Sequence, residues 1–197
     1  MSERTALVLG GTGMLKGCAD ELLALGWHVV LPSRRPDAVL GQAARASLKR
    51  GGHVPQAGER ARALRVAADW ARPEELADKV RDALAGRPAD LLVAWVHTSY
   101  RAAVLRAVAP LLAPHAPVVE VLDSSEINPV RGVPDPTLEG HPAQQVVLGF
   151  VRHGGGTRWL SHEETSVGVL DAVHRALEGR PPSVHQVGEI DTWEARN

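Results

Sequence analysis

Apolar residues fall into short continuous runs separated by amphipathic stretches, and that alternation repeats along most of the chain. Thr5-Ala6-Leu7-Val8-Leu9 rises without a polar break into Gly10, the pattern of a strand covered on both faces. From Met14 to Leu25 the apolar positions change to helical spacing, with Leu15, Cys18, Leu22 and Leu25 falling together and Gly26 as a stop. Residues 27–31 predict a second strand ending at Pro32-Ser33-Arg34-Arg35, and residues 37–50 a second helix. The polar stretch 51–60, punctuated by Gly and Pro, predicts a surface loop. A third strand is expected over 64–69 and a helix from Pro73 to Ala85, with Glu74 and Glu75 at its positive end. A fourth strand over 91–96, a helix from Ser99 to Leu112 and a fifth strand over 117–122 continue the series.

The rhythm changes after Leu122. Residues 123–143 contain Pro129, Pro134, Pro136 and Pro142 and little helical periodicity, so a loop is expected there. Residues 145–151 predict a sixth strand. After Gly154-Gly155-Gly156, Ser161 and Glu164 have capping-box spacing at the start of a helix over 162–178, and residues 184–190 predict a seventh short strand. Strand alternating with helix implies an α/β fold, a parallel sheet with right-handed crossovers. With no internal repeat, low-complexity segment or linker, residues 1–197 are expected to form one domain.

Between the first strand and the first helix stands Gly10-Gly11-Thr12-Gly13-Met14-Leu15. A strand, a glycine turn and a helix start make a phosphate cradle, because the backbone can approach a pyrophosphate closely and free N–H groups point at it. The fold expected from this is Rossmann-like, a doubly wound parallel sheet of about seven strands in the order 3-2-1-4-5-6-7. A flavodoxin-like sheet is the alternative, and a tight turn with no ligand is the plain reading of the glycines. At the end of the second strand a carboxylate would pair with the ribose hydroxyls of NAD; this chain has Ser33-Arg34-Arg35, a hydroxyl and guanidinium forks that suit the 2′-phosphate of NADP. Two solvated arginines before a helix remain the alternative.

Composition narrows the partners. A formal charge of −1 gives no overall basicity for nucleic acid, and no apolar run reaches the roughly 18 residues of a membrane span. The single cysteine, Cys18, excludes an intramolecular disulfide framework and a cysteine-rich zinc site. The N-terminal residues carry no signal-peptide pattern, so a cytoplasmic protein acting on a small molecule is expected.

The glycine loop resembles that of atypical short-chain dehydrogenase/reductases, and the likeness in strand order covers nearly the whole chain. The resemblance implies NADP(H) held by Gly10, Thr12, Gly13, Met14 and Leu15 at the loop, with Ser33, Arg34 and Arg35 at the second strand. It places Asp69 and Trp70 near the adenine, and Val96-His97 near the riboses. Where the family usually has a third glycine or alanine this chain has Lys16, which either reaches a phosphate or lies outward along the helix. The family's Tyr-x-x-x-Lys pair is missing: Tyr100 is followed four residues later by Val104, and the lysines are Lys16, Lys49 and Lys79. The proline-rich stretch is also too short for the helix that carries that pair.

Proton chemistry must then come from elsewhere. The ends of strands four and five offer His97 and Tyr100, and Ser124 or Ser125. Each also has a bland role: a helix cap for His97, a helix surface for Tyr100, a turn for the serines. His162-Glu163-Glu164 reads as part of the capping box and not as a metal site. Trp70, Trp95, Trp159 and Trp193 either shape a pocket or pack in the core. The leading expectation is an NADPH-dependent reductase of a small carbonyl, imine or conjugated substrate, an imine being attractive because it can arrive already protonated. The alternatives are a non-catalytic NADP(H)-binding redox sensor and an isomerase using the cofactor transiently. A homodimer through the helices after strands four and five is a further expectation, with part of that surface shortened here.

Overall fold

The computed structural model describes residues 4–34, 62–128 and 131–190. The helix expected over 37–50, the loop over 51–60, Arg35 and Trp193 lie outside the described residues. Among those described are nine strands: β1 (Thr5–Leu9), β2 (His28–Ser33), β3 (Ala63–Ala67), β4 (Leu91–Trp95), β5 (Val118–Asp123), β6 (Ala143–Leu148), β7 (Phe150–His153), β8 (Gly156–Trp159) and β9 (Ser183–Val187). The helices are α1 (Lys16–Ala24), α2 (Pro73–Leu84), α3 (Thr98–Val108) and α4 (His162–Leu177). Seven strands form one parallel sheet in the order β3-β2-β1-β4-β5-β6-β9. This is the Rossmann-like order expected, with β9 as its last strand.

Strand β1 shows why the core has two halves. Its side chains alternate, so Leu7 and Leu9 pack with Leu76 and Val80 of α2 and Val104 and Leu105 of α3. Ala6 and Val8 face the other way, onto Cys18 and Leu22 of α1 and Val169 and Val173 of α4. Each fully buried Leu or Val contributes about 1.5–3 kcal/mol relative to exposure. Burial raises the Cys18 thiol to about 12, with the Glu21 charge adding to the shift, so this cysteine is inert packing. No helix among the described residues is long and apolar enough to cross a membrane.

Several expected boundaries move. The helix expected from Met14 starts at Lys16, because the N–H groups of Gly13 and Leu15 both donate to the Gly10 carbonyl at 3.1 Å. The helix after β4 ends at Val108, and Ala109–Leu111 tighten into a 3-10 turn around Pro110. The sixth strand ends at Leu148 instead of Val151. Phe150 leaves the sheet, exchanging hydrogen bonds with Glu189 at 2.9 and 2.8 Å, and Phe150–His153 pair antiparallel with Gly156–Trp159. The last strand stops at Val187 for the same reason.

Residues 131–142 of the proline-rich segment pack against β5 and β6. Leu138 packs into the same cluster as α2 and α3. Backbone outside a helix or sheet needs other partners, and side chains of the strands supply them. The buried Glu120 of β5 accepts from the Thr137 N–H at 3.0 Å and from the Thr137 hydroxyl. Gln145 of β6 donates to the Pro134 carbonyl at 3.0 Å, and the His141 ring lies 2.8 Å from the Ala116 carbonyl. Glu120→Ala leaves the Thr137 donors without their acceptor and should lower unfolding stability by about 2 kcal/mol in urea. An unchanged urea midpoint would show that the carboxylate does not fasten this segment.

Candidate functional site

The carboxyl ends of the strands build the site, and the turn after β1 is its floor. Gly10 has φ +93°, and a Cβ there would lie 3.0 Å from the Trp95 carbonyl oxygen. A Cβ on Gly11 would stand 2.5 Å from Leu31 Cδ2. A side chain at Gly10 would be strained by the positive φ and would crowd the Trp95 backbone, and one at Gly11 would force the Leu31 side chain to move. The Gly10 carbonyl takes the N–H groups of Gly13 and Leu15, and the Gly13 carbonyl takes that of Lys16 at 3.0 Å. The N–H groups of Thr12 and Met14 stand outside these bonds. From α4, the Ser166 hydroxyl donates to the Met14 carbonyl at 3.4 Å, bracing the turn from behind.

A cleft of about 600 Å³ opens above this turn. The floor is Gly10, Thr12, Gly13 and Met14, and one wall is Pro32, Ser33 and Arg34 from the end of β2. Thr12 ties floor to wall, its hydroxyl donating to Ser33 Oγ at 3.1 Å. Trp70 and Trp95 form the opposite side, edge to face with centroids 6.1 Å apart. A Cβ on Gly13 would meet nothing nearer than the Gly10 carbonyl at 4.0 Å, so it would project into open space. A backbone cradle, a hydroxyl, a guanidinium and aromatic faces are the donor set that a dinucleotide phosphate and an adenosine require. These residues fit such a cofactor.

Four of the expected cofactor residues, Leu15, Lys16, Asp69 and His97, do not line this cleft. Leu15 is fully buried in the core and offers only its N–H, which is already bonded to Gly10. Lys16 lies along α1 and pairs with Asp20 at 2.7 Å, one helical turn on. Asp69 is exposed and accepts from the Ala71 N–H at 3.1 Å, closing its own turn.

His97 caps α3. Its Nδ1 accepts from the Ser99 N–H at 3.3 Å, which puts the proton of a neutral ring on Nε2. The exposed Tyr100 ring lies 6.4 Å from the imidazole. Ser124 begins the 3-10 turn Ser124–Glu126 that follows β5, and Asp123 caps that turn by accepting from the Ser125 N–H at 2.8 Å. His97 and Ser124 thus sit at the ends of adjacent strands. His162 opens α4 beside Glu164, whose carboxyl is lowered to about 2 by hydrogen bonds from Arg158 and the Ser161 N–H.

The strongest polar feature at these strand ends was not among the sequence candidates. Arg101 Nη2 donates to Glu126 Oε1 at 2.6 Å and to the Val96 carbonyl at 3.0 Å, and Nη1 donates to Glu126 Oε2. The Asp123 N–H adds a bond to Glu126 at 2.9 Å. Burial alone would push the Glu126 carboxyl up; the bonds from Arg101, Asp123 and Thr98 outweigh it and hold the group below its ordinary range. Asp123-Ser124-Ser125-Glu126 carries capping-box spacing, the one signal in the sequence that could have found it. A second groove, of about 690 Å³, lies between α4 and β9 along Val167, Gly168, Asp171, His185 and Val187.

No protein-family model matches the chain, and no curated protein matches it. Solved structures do. A carbonyl reductase from Pseudomonas aeruginosa PAO1 superposes with a TM-score of 0.62 at 19% identity, covering 96% of this chain and 100% of its own. A protein from Burkholderia multivorans described as a short-chain dehydrogenase/reductase, with bound NADP, gives 0.62 at 20% identity over 98% and 100%. A β-ketoacyl-[ACP] reductase from Bacteroides thetaiotaomicron gives 0.62 at 14% identity over 99% of each chain. At such identities the likeness establishes the fold.

Because the folded Glu126 carboxyl sits below its ordinary 4.5, its stabilisation is present above that value and is lost as pH falls through the folded value. Glu126→Gln should therefore lose less stability than the parent protein between pH 5 and pH 3 in acid-titrated thermal melts. Parallel losses in the two proteins would remove the ion pair from the account of acid sensitivity.

Proposed function

We propose that the chain binds NADP(H) in the cleft above the Gly10–Met14 turn and reduces a small carbonyl, imine or conjugated substrate. The observation that carries this reading is the union of a glycine-rich turn with Ser33 and Arg34 on one cleft wall. In the doubly wound fold that wall faces the adenosine 2′ position, where a hydroxyl and a guanidinium suit a phosphate and a carboxylate would suit a free ribose. The fold neighbours include a carbonyl reductase and a protein with bound NADP, which supports the same class of cofactor and reaction.

A bound nicotinamide dinucleotide supplies hydride chemistry; the chain's own part is to place it and to manage a proton. His97 offers its Nε2 proton at the end of β4, while its Nδ1 lone pair is occupied by the Ser99 N–H. Ser124, at the end of β5, has the hydroxyl to orient a carbonyl oxygen. A binding-only redox sensor is the second reading. It is favoured by the missing Tyr-x-x-x-Lys pair in the sequence and by the cap that engages His97.

Tryptophan quenching through Trp70 and Trp95 measures cofactor binding directly. The expected result is NADPH preferred over NADH, with Arg34→Ala reducing that preference about tenfold through loss of a charge-assisted hydrogen bond. An unchanged preference would remove Arg34 from the 2′-phosphate site. NADPH oxidation with a carbonyl and imine panel, weakened in His97→Gln, supports the reductase; tight NADPH binding with no turnover across the panel supports the sensor.

A further inference from the structure

The sheet order fixes the direction in which a dinucleotide must run. With its phosphates over the β1 turn and its adenosine against Ser33 and Arg34 of β2, the nicotinamide half extends to the other side of β1, over the ends of β4 and β5. Two separate turns stand there, one carrying His97 and one carrying Ser124. We infer that the buried Arg101–Glu126 pair clamps these two turns together and thereby positions the nicotinamide half of the cofactor, an inference that rests on the NADP(H) reading above.

The geometry is that of a clamp. The Arg101 fork holds Glu126 on the β5 turn with both terminal nitrogens while Nη2 also holds the Val96 carbonyl, the last before His97. Glu126 in turn secures the Asp123 N–H, so one carboxylate joins β5, its turn and α3. The two side chains retain 9% and 8% of their exposure. Arg101 Nε is buried without a partner among the described residues, a cost that an apolar pair of similar volume would avoid. A pair this desolvated contributes little net stability, whereas its planar, two-point geometry fixes the spacing between the turns. Arg101 and Glu126 are therefore positioning residues: they act on the cofactor through the Val96–Thr98 and Asp123–Ser125 backbone.

The test separates the two halves of the cofactor. Arg101→Met alone strands the Glu126 charge, so the double variant Arg101→Met/Glu126→Gln is the working protein; the substituted amide oxygen can still accept from the Asp123 N–H. Binding of 2′,5′-ADP, which carries only the adenosine half, is compared with binding of NADPH by calorimetry, alongside thermal melts of both proteins. The expected result is 2′,5′-ADP affinity unchanged and NADPH affinity weakened about tenfold. Equal weakening of both ligands, or no weakening of either, overturns the clamp. A parent protein that binds neither ligand overturns the NADP(H) reading itself, and so is distinguishable from failure of the clamp alone.

Discussion

The carboxyl edge of the sheet depends on how closely the end of β1 packs, Gly10 against the backbone of β4 and Gly11 against the Leu31 side chain of β2. Gly10 passes under the Trp95 carbonyl and Gly11 against Leu31, at separations that leave no room for a Cβ. That contact lets β1 turn immediately after Leu9 and brings Trp95 over the turn. It also leaves Thr12 free to reach Ser33 and Ser166 to reach Met14. A methyl group at Gly10 would push the loop away from β4 and disturb the floor of the cleft above it. The cleft is thus a consequence of close packing at the end of β1.

The second constraint lies on the other half of the same edge. Beyond β4, the segment that covers β5 and β6 is held by side chains acting as backbone partners, Glu120 for Thr137 and Gln145 for Pro134. Such a cover is thin and rich in proline. It leaves the chemistry of the site to residues at the strand ends. Arg101 and Glu126 occupy that region and tie the turns bearing His97 and Ser124 into one unit. A cleft floor set by glycine packing thus adjoins strand-end turns joined by an ion pair.

The sheet was legible in the sequence because parallel strands buried on both faces read as near-continuous apolar runs, unbroken in Leu91–Trp95 and interrupted only by Glu120 in Val118–Leu122. That Gly10, Thr12, Gly13 and Ser33 would meet at one strand edge was legible too, because each directly follows or ends an apolar run. What escaped depends on partners distant in the chain. Phe150 and Val151 extend an apolar run, and only the pairing of Phe150 with Glu189 turns them out of the sheet into a hairpin. Lys16 stands where a phosphate ligand could be, yet Asp20 at helical spacing takes it. Arg101 and Glu126 lie 25 positions apart on different elements, with only the capping-box spacing around Asp123 to mark one of them.

The central claim, that the Gly10–Met14 turn is the floor of an NADP(H) site, is tested most directly by titrating isotope-labelled protein with NADPH and following amide and indole resonances. The largest shifts are expected at Thr12, Gly13, Met14 and Ser33, and at the indole N–H groups of Trp70 and Trp95. Shifts confined to the groove between α4 and β9, around Val167, Asp171 and His185, would contradict it.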